Sequence, residues 1–227
     1  MKPLIYFLLL TIIFSCGNKK IVQLPEIEKS DTSKINDVSA AYLFYDETLP
    51  DSVELNRKNL ISTTNWLINI DKRLTLGQVI PKITFLQNKK RDAKMHKNEN
   101  AKNYYTCNDI SKHNLGFIEF TDVVYHQEDP QEYLEKTGAA QLITIKIQSL
   151  DSIIVSFISN GATLSHSSNY SELLTHLKTN ITNNGNAFIV LEFSKQLSFQ
   201  SYITLKHLLS EIDLKNVTIA HDEFLFN

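Results

Sequence analysis

The fold of this chain is decided by the stretch IVLEFSKQLSF at residues 189–199. Its first five residues are apolar except Glu192, and they belong to an apolar run of strand length at 187–193. Ser198 has the side chain of a helix N-cap, and Tyr202 and Leu209 then recur at helical spacing. The stretch therefore predicts a buried strand followed directly by an amphipathic helix.

The same pattern occurs earlier in the chain. The stretch WLINIDKRLTL at residues 66–76 aligns without gaps on residues 189–199. Each copy runs from an apolar strand to a hydroxyl residue, Thr75 in the first copy and Ser198 in the second. Thr75 and Gln78 also have the spacing of a capping box. The self-similarity indicates a duplicated unit, and the alternative is chance, because a strand followed by a helix is a common motif.

Further elements surround the second copy. The alternating apolar residues at 143–147 and the apolar run at 153–158 predict two strands. Asn169 and Glu172 predict the capping box of a helix, and residues 217–219 predict a closing strand. The order is strand, strand, helix, strand, helix, strand, which predicts a sheet with helices packed on one face.

The N-terminus resembles a bacterial lipoprotein export signal. Lys2 supplies a positive charge, residues 4–14 are apolar except Thr11, and Ser15 precedes Cys16. A cationic start, a short apolar run and a small residue before the cut are the parts of a secretory signal. The run is too short for a bilayer-spanning helix, which needs roughly 20 residues. The resemblance implies a lipidated Cys16; an ordinary signal peptide or an uncleaved anchor is the alternative.

These patterns divide the chain into four segments. We predict a signal peptide at 1–15, a polar tether at 16–36, a first α+β unit at 37–128 and a second unit at 129–227. The fold class is therefore α+β, with two small units that each combine a sheet with helices. Within the first unit, residues 115–125 are expected to supply the closing strand.

The composition excludes some partners. The chain is 42% hydrophobic and 21% charged, as in ordinary globular proteins, and its formal charge of -2 argues against nucleic acid. Residues 89–102 are mostly basic, which predicts a solvated loop; the alternative is a patch for an anionic lipid surface or polymer. If Cys16 is lipidated, Cys107 has no disulfide partner. We expect Cys107 to be a buried structural thiol.

No motif for catalysis or metal binding is evident. No two histidines have the spacing of a helical zinc pair, and no glycine-rich phosphate loop or Gly-x-Ser-x-Gly motif occurs. The polar run from His221 to Glu223 is expected to be a solvated strand end, and Trp66 a core residue. We predict no catalytic, cofactor-binding or metal-binding residues, no cofactor and no enzymatic activity.

The C-terminal part, from about 142 to 227, resembles the periplasmic domain of the ExbD/TolR family. Proteins of this family work with a membrane motor that uses the proton gradient to energise transport or envelope maintenance. The resemblance covers a little over a third of the chain and rests on the order of the elements. The similar segments are residues 154–161, 170–177, 187–192, 198–202, 208–212 and 214–219.

One departure from the family decides what the resemblance implies. The family is anchored by a transmembrane helix with an aspartate that takes part in proton flow, whereas residues 4–14 are short and contain no acid. The resemblance thus implies a lipid-anchored, periplasm-facing accessory of an ExbB/ExbD/TonB-like assembly that does not conduct protons. Its expected partners are a motor or TonB-like protein, peptidoglycan or a second copy. The alternatives are an adaptor unrelated to a motor and an envelope-modifying enzyme.

Overall fold

The computed structural model describes residues 20–92, 98–137, 141–159, 162–181, 186–212 and 216–227. The predicted signal peptide, Cys16 and the middle of the basic segment lie outside these ranges. Within them the chain forms two six-stranded sheets and four helices. The predicted α+β class is confirmed.

The first sheet is built mainly from the predicted first unit. It has the order β1-β5-β4-β2-β3, with β6 also paired to β5, and helix α1 connects β4 to β5. The prediction that residues 115–125 close this sheet was wrong, because β5 is the strand parallel to β4 and β6 runs antiparallel to β5. The elements are β1 (Glu26–Ile27), β2 (Val38–Tyr45), β3 (Val53–Asn56), β4 (Asn65–Ile70), α1 (Leu76–Arg91), β5 (Asn103–Asp109) and β6 (Asn114–Glu119).

The second sheet has the order β10-β9-β8-β11-β12-β7. Its first strand, β7, precedes the predicted unit boundary at 129 yet pairs with β12. Strand β10 has no counterpart among the predicted strands. The elements are β7 (Val124–His126), α2 (Gln131–Lys136), β8 (Gln141–Ser149), β9 (Ser152–Ser159), β10 (Ala162–Ser168), α3 (Tyr170–Asn180), β11 (Ala187–Ser194), α4 (Phe199–Ser210) and β12 (Val217–Phe226).

The helix starts follow the predicted caps. The Gln78 side chain accepts a hydrogen bond from the Thr75 N–H at 2.8 Å, as in a capping box. The Ser198 hydroxyl accepts from the Ser201 N–H at 3.1 Å. Asn169 caps α3 in the same way. These bonds satisfy amide groups that have no partner within the first turn of a helix.

The two halves share one hydrophobic core. A single cluster of buried apolar side chains includes Leu76 and Ile83 of α1 together with Phe199 and Leu205 of α4. The N-termini of the two helices meet there: the Leu76 N–H donates to the carbonyl of Leu197 at 2.9 Å, and the Phe199 N–H donates to the carbonyl of Leu74 at 2.7 Å. The two aligned stretches are therefore packed against each other.

The segment predicted as a tether is folded over much of its length. Strand β1 pairs in parallel with β5, and Ile27 is buried. Gln200 of α4 binds the backbone of Glu26 through both ends of its amide, each at 2.9 Å. The Ser30 N–H donates to the Asp109 carboxylate at 2.8 Å. The polar composition suggested a solvated chain. Instead, backbone pairing with β5 and the burial of Ile27 hold the segment in place, and its contacts with β5 and α4 reach both halves of the chain.

None of the helices in the described ranges is long and apolar enough to cross a bilayer.

Candidate functional site

The free edge of the second sheet is formed by β10. Among the described residues this strand pairs only with β9, from Ala162 opposite Ser159 to Ser168 opposite Ile153. Most of its residues are exposed, and it contains no proline and no acidic, lysine or arginine residue. Edge strands are commonly protected by charges, proline, bulges or short length. A seven-residue edge without these devices is suited to pairing with another strand.

The other sheet edges of the described chain are better protected. Strand β3 has four residues and carries Glu54, and β7 has three residues. On the outer side of β6, the Phe117 N–H donates to the carbonyl of Thr32, so the N-terminal segment covers that edge. Strand β10 therefore offers the longest uncharged edge among the described strands.

Two large apolar side chains flank the β10 edge. Leu164 of β10 is 58% exposed and Ile154 of β9 is 45% exposed. Leu164 lies opposite Phe157, so Leu164 and Ile154 are on opposite faces of the sheet. A strand added beside β10 would bury apolar surface in addition to satisfying backbone groups.

Helix α3 positions this edge. The Tyr170 N–H at its start donates to the carbonyl of Leu150 at 2.7 Å, which fixes the helix to the turn between β8 and β9. Leu173 and Leu177 are fully buried against the core. On the outer face, the hydroxyls of Ser156 and Ser165 lie 2.9 Å apart. Packed structure therefore supports one face of the sheet at this edge. Among the described residues, no strand lies on the side of β10 that faces away from β9.

Two histidines near the edge have nitrogens without a hydrogen-bond partner in the described chain. They are Nε2 of His166 in β10 and Nδ1 of His176 in α3. The ring of His166 contacts that of Phe157 edge-on, at 6.2 Å between centroids. In the described residues, no three His, Cys, Asp or Glu side chains come together as a metal site. The histidines therefore give no basis for assigning a metal.

The polar run from His221 to Glu223 was predicted to be a solvated strand end, and for Glu223 this prediction was wrong. Glu223 is only 1% exposed, and its carboxylate accepts hydrogen bonds from Lys206 at 2.5 Å and Tyr202 at 2.8 Å. Asp222 contacts Nε2 of His126 at 2.6 Å. The alternation of β12 turns Glu223 inward towards α4.

A chain of hydroxyl groups extends from Glu223 into the first sheet. The Tyr202 hydroxyl lies 3.2 Å from that of Tyr125, which lies 2.6 Å from that of Tyr105. Burial raises the pKa of all three tyrosines well above their ordinary value. The three phenols therefore stay neutral and act as hydrogen-bond donors and acceptors. They tie β5 to α4 and β12.

The remaining sequence candidates are structural where they are described. Cys107 is buried, and burial raises the pKa of its thiol to about 12, so it is a poor nucleophile. Trp66 is in the core, and its indole N–H donates to the carbonyl of Ile61 at 2.8 Å. The lipidation candidate Cys16 lies outside the described residues. The β10 edge was missed because its serines, threonine and alanine give little hydrophobic alternation.

No family model, curated protein or solved structure matches this chain.

Proposed function

We propose that this protein is a lipid-anchored, non-enzymatic binding protein of the bacterial cell envelope that faces the periplasm. The observation that carries the proposal is the free, uncharged edge strand β10. Edge strands bind partners through main-chain hydrogen bonds, with side chains adding specificity. Exposed Leu164 and Ile154 would provide the apolar contacts on the two faces.

The proposed setting is an ExbB/ExbD/TonB-like assembly for biopolymer transport or energy coupling. The support is the succession β8, β9, α3, β11, α4 and β12, which is the element order on which the ExbD/TolR resemblance rests. In this proposal β10 is an addition to that order. The protein would be an accessory that does not conduct protons, because a lipid on Cys16 replaces the charged transmembrane helix.

Co-purification from native membranes tests the setting. The full chain should capture a motor component, a TonB-like protein or a peptidoglycan fragment. A Cys16→Ser variant should lose acyl labelling and should capture less of a membrane-bound partner. Capture of none of these three classes would contradict the proposed assembly. A partner unrelated to a motor would instead support a general adaptor.

A matched pair of variants tests whether β10 is the binding edge. Leu164→Lys places a charge on the edge, whereas Ile110→Lys places the same charge at another exposed apolar residue, which is 47% exposed. Leu164→Lys should reduce partner capture and Ile110→Lys should not. Equal capture by both variants and the unmodified chain would rule out β10 as the contact.

A further inference from the structure

The first described residue, Lys20, is bound at the β3 edge of the first sheet. Its ammonium donates to Oδ2 of Asp46 at 2.8 Å and also binds the carboxylate of Glu54 in β3. Lys20 lies four positions after Cys16, and an extended chain spans at most about 3.6 Å per residue. A lipid on Cys16 would therefore hold the β3 side of the fold within roughly 14 Å of the bilayer surface.

Three cations line a cleft beside these ion pairs. Arg57, Lys58 and Lys89 border the same cleft as Glu54, and all three are exposed. Arg57 and Lys58 follow the last residue of β3, and Lys89 belongs to the last turn of α1. Among the described residues, none of the three forms an ion pair. Positive charge is therefore exposed next to the point where the link to Cys16 joins the fold.

The carboxylates around this cleft are paired with other cations. Lys20 binds both Asp46 and Glu54, and Lys82 binds Asp51 at 2.9 Å. Together with the three cations of the cleft, this region has five basic and three acidic side chains, and five minus three leaves a charge of +2. The pairing removes the nearby carboxylates as partners for the cleft cations.

Two further acids lie at the ends of the neighbouring elements. Glu47 is in the turn before β3, whereas Arg57 and Lys58 come after that strand. Asp92 is the C-cap of α1, where residues 89–91 are all basic. Three cations outweigh one carboxylate and the roughly half unit of negative charge at the carbonyl end of a helix. The surface therefore stays positive.

An exposed aromatic ring lies among these cations. Phe85 is 46% exposed, and the guanidinium carbon of Arg57 lies 5.2 Å from the centre of its ring. Phe85 and Lys89 are four positions apart on α1 and share one side of the helix. Basic side chains beside an exposed aromatic ring suit the boundary between lipid and water, where cations meet anionic headgroups and the ring enters the interface.

Given the lipid anchor of the proposed function, we propose that Arg57, Lys58, Phe85 and Lys89 form an anchor-side surface that lies against anionic phospholipid. The attraction acts over about a Debye length, roughly 8 Å at physiological salt. The four-residue link allows the anchor-side surface to reach that range. Each cation should strengthen the contact roughly fivefold, so that the lipid anchor and this surface together orient the domain on the membrane.

The test uses the full lipidated chain in phosphatidylglycerol vesicles that carry a nitroxide quencher at the headgroup. A fluorophore is attached to Asn59→Cys, an exposed neutral position beside Lys58, or to Thr163→Cys on β10. Cys107 is buried and a lipid-bearing Cys16 has no free thiol, so the label enters at the new cysteine. Quenching should be stronger at position 59 than at position 163. It should weaken between about 0.1 M and 1 M salt, as the Debye length falls from about 10 Å to 3 Å.

A matched pair of triple variants tests the charges. Arg57→Gln/Lys58→Gln/Lys89→Gln should lower the equilibrium constant for surface contact roughly a hundredfold. Quenching at position 59 should then fall to the level at position 163. Lys34→Gln/Lys136→Gln/Lys178→Gln removes the same charge from exposed positions elsewhere and should leave quenching unchanged.

Three results overturn the orientation: equal quenching at positions 59 and 163, equal quenching in the two triple variants, or equal quenching in phosphatidylcholine and phosphatidylglycerol vesicles. Acyl labelling of Cys16 in the same preparation separates this failure from failure of the anchor. A labelled chain without preferential quenching at position 59 contradicts the orientation and leaves the anchor intact. Absence of acyl labelling overturns the anchor and the orientation with it.

Discussion

Thr75 and Ser198, the N-caps of α1 and α4, lie opposite each other in an isolated antiparallel bridge. The same two positions correspond in the aligned stretches at 66–76 and 189–199. The N-cap residue of each helix therefore contacts the equivalent N-cap residue of the other helix.

The hydrogen bonds around this bridge show the same correspondence between the two aligned stretches. The Gly77 N–H donates to the carbonyl of Lys195 at 2.8 Å, and the Gln200 N–H donates to the carbonyl of Lys72 at 3.2 Å. Each bond becomes the other when the two aligned stretches are interchanged. The two aligned stretches therefore contact each other reciprocally around the bridge, as equivalent segments do across an isologous interface.

Gly77→Val should destabilise this contact. A Cβ at position 77 would lie 3.2 Å from the carbonyl oxygen of Lys195 and 3.4 Å from its Cβ, and valine adds two further carbons. Overpacking of this kind costs about 1–3 kcal/mol of unfolding free energy, measurable by urea denaturation. Asn88→Val, at an exposed position of the same helix, is the control. Equal losses would show that the close approach is not responsible.

Lys206→Met should be more costly than Glu223→Gln. Removing the ammonium leaves a buried carboxylate with the Tyr202 hydroxyl as its one hydrogen-bond donor among the described residues, and breaking a buried pair costs about 3–5 kcal/mol. Glu223→Gln keeps one acceptor oxygen for Lys206 and places an amide NH2 donor against the Tyr202 hydroxyl, which can accept a hydrogen bond. In a double-mutant cycle measured by urea denaturation, the combined variant should be more stable than the sum of the two losses indicates. Additive losses would contradict a direct interaction.

The carboxyl of Asp109 should produce an acid-dependent loss of stability. Burial alone would raise its pKa, but hydrogen bonds from the Ser30 N–H, the Ser111 hydroxyl and the Lys112 N–H lower it to about 2. Because the pKa is lower in the folded state than the unfolded value of 3.8, the ionised carboxylate stabilises the fold at pH values above 3.8. This stabilisation is lost as the pH falls towards 2. Stability should therefore decline between about pH 4 and pH 2.

Thermal unfolding of Asp109→Asn between pH 2 and pH 5 checks this contribution. The variant should be less stable than the unmodified chain at pH 5 and should show a shallower decline towards pH 2. Gly77→Val, destabilised by a different cause, should keep the original slope. An unchanged slope in Asp109→Asn would assign the acid sensitivity to other groups.

Cys107 should react with thiol reagents only when the protein opens. Its thiol is buried with a pKa raised to about 12, so the thiolate is scarce at neutral pH. In the Cys16→Ser background, labelling should be negligible in native buffer and complete in denaturant. Rapid labelling in native buffer would mean that β5 opens readily.

The sequence predicted the parts of the fold with strong local signals. The run at 189–193 and the caps Thr75, Ser198 and Asn169 define strand and helix starts through neighbouring residues alone, and the structure has these elements there. Helix α1 also continues through Pro81 to Arg91, because packing of its apolar face compensates for the lost backbone bond.

The remaining features depend on contacts between distant residues. Strand β1 is two residues long and exists because β5 lies beside it. Glu223 looks solvated in sequence, and only the packing of α4 against β12 supplies Lys206 and Tyr202 as partners. Strand β10 consists largely of small polar residues, so neither hydrophobic periodicity nor β-propensity marks it.

Photo-cross-linking from position 164 tests the binding edge most directly. A photoreactive residue is placed at Leu164 of the full chain in native membranes, and the same residue at Ile110 serves as the control. We expect adducts from position 164 that contain a motor or TonB-like envelope protein, and few from position 110. Absence of adducts from position 164, or the same adducts from both positions, would contradict the assignment of β10 as the surface through which this protein binds its partner.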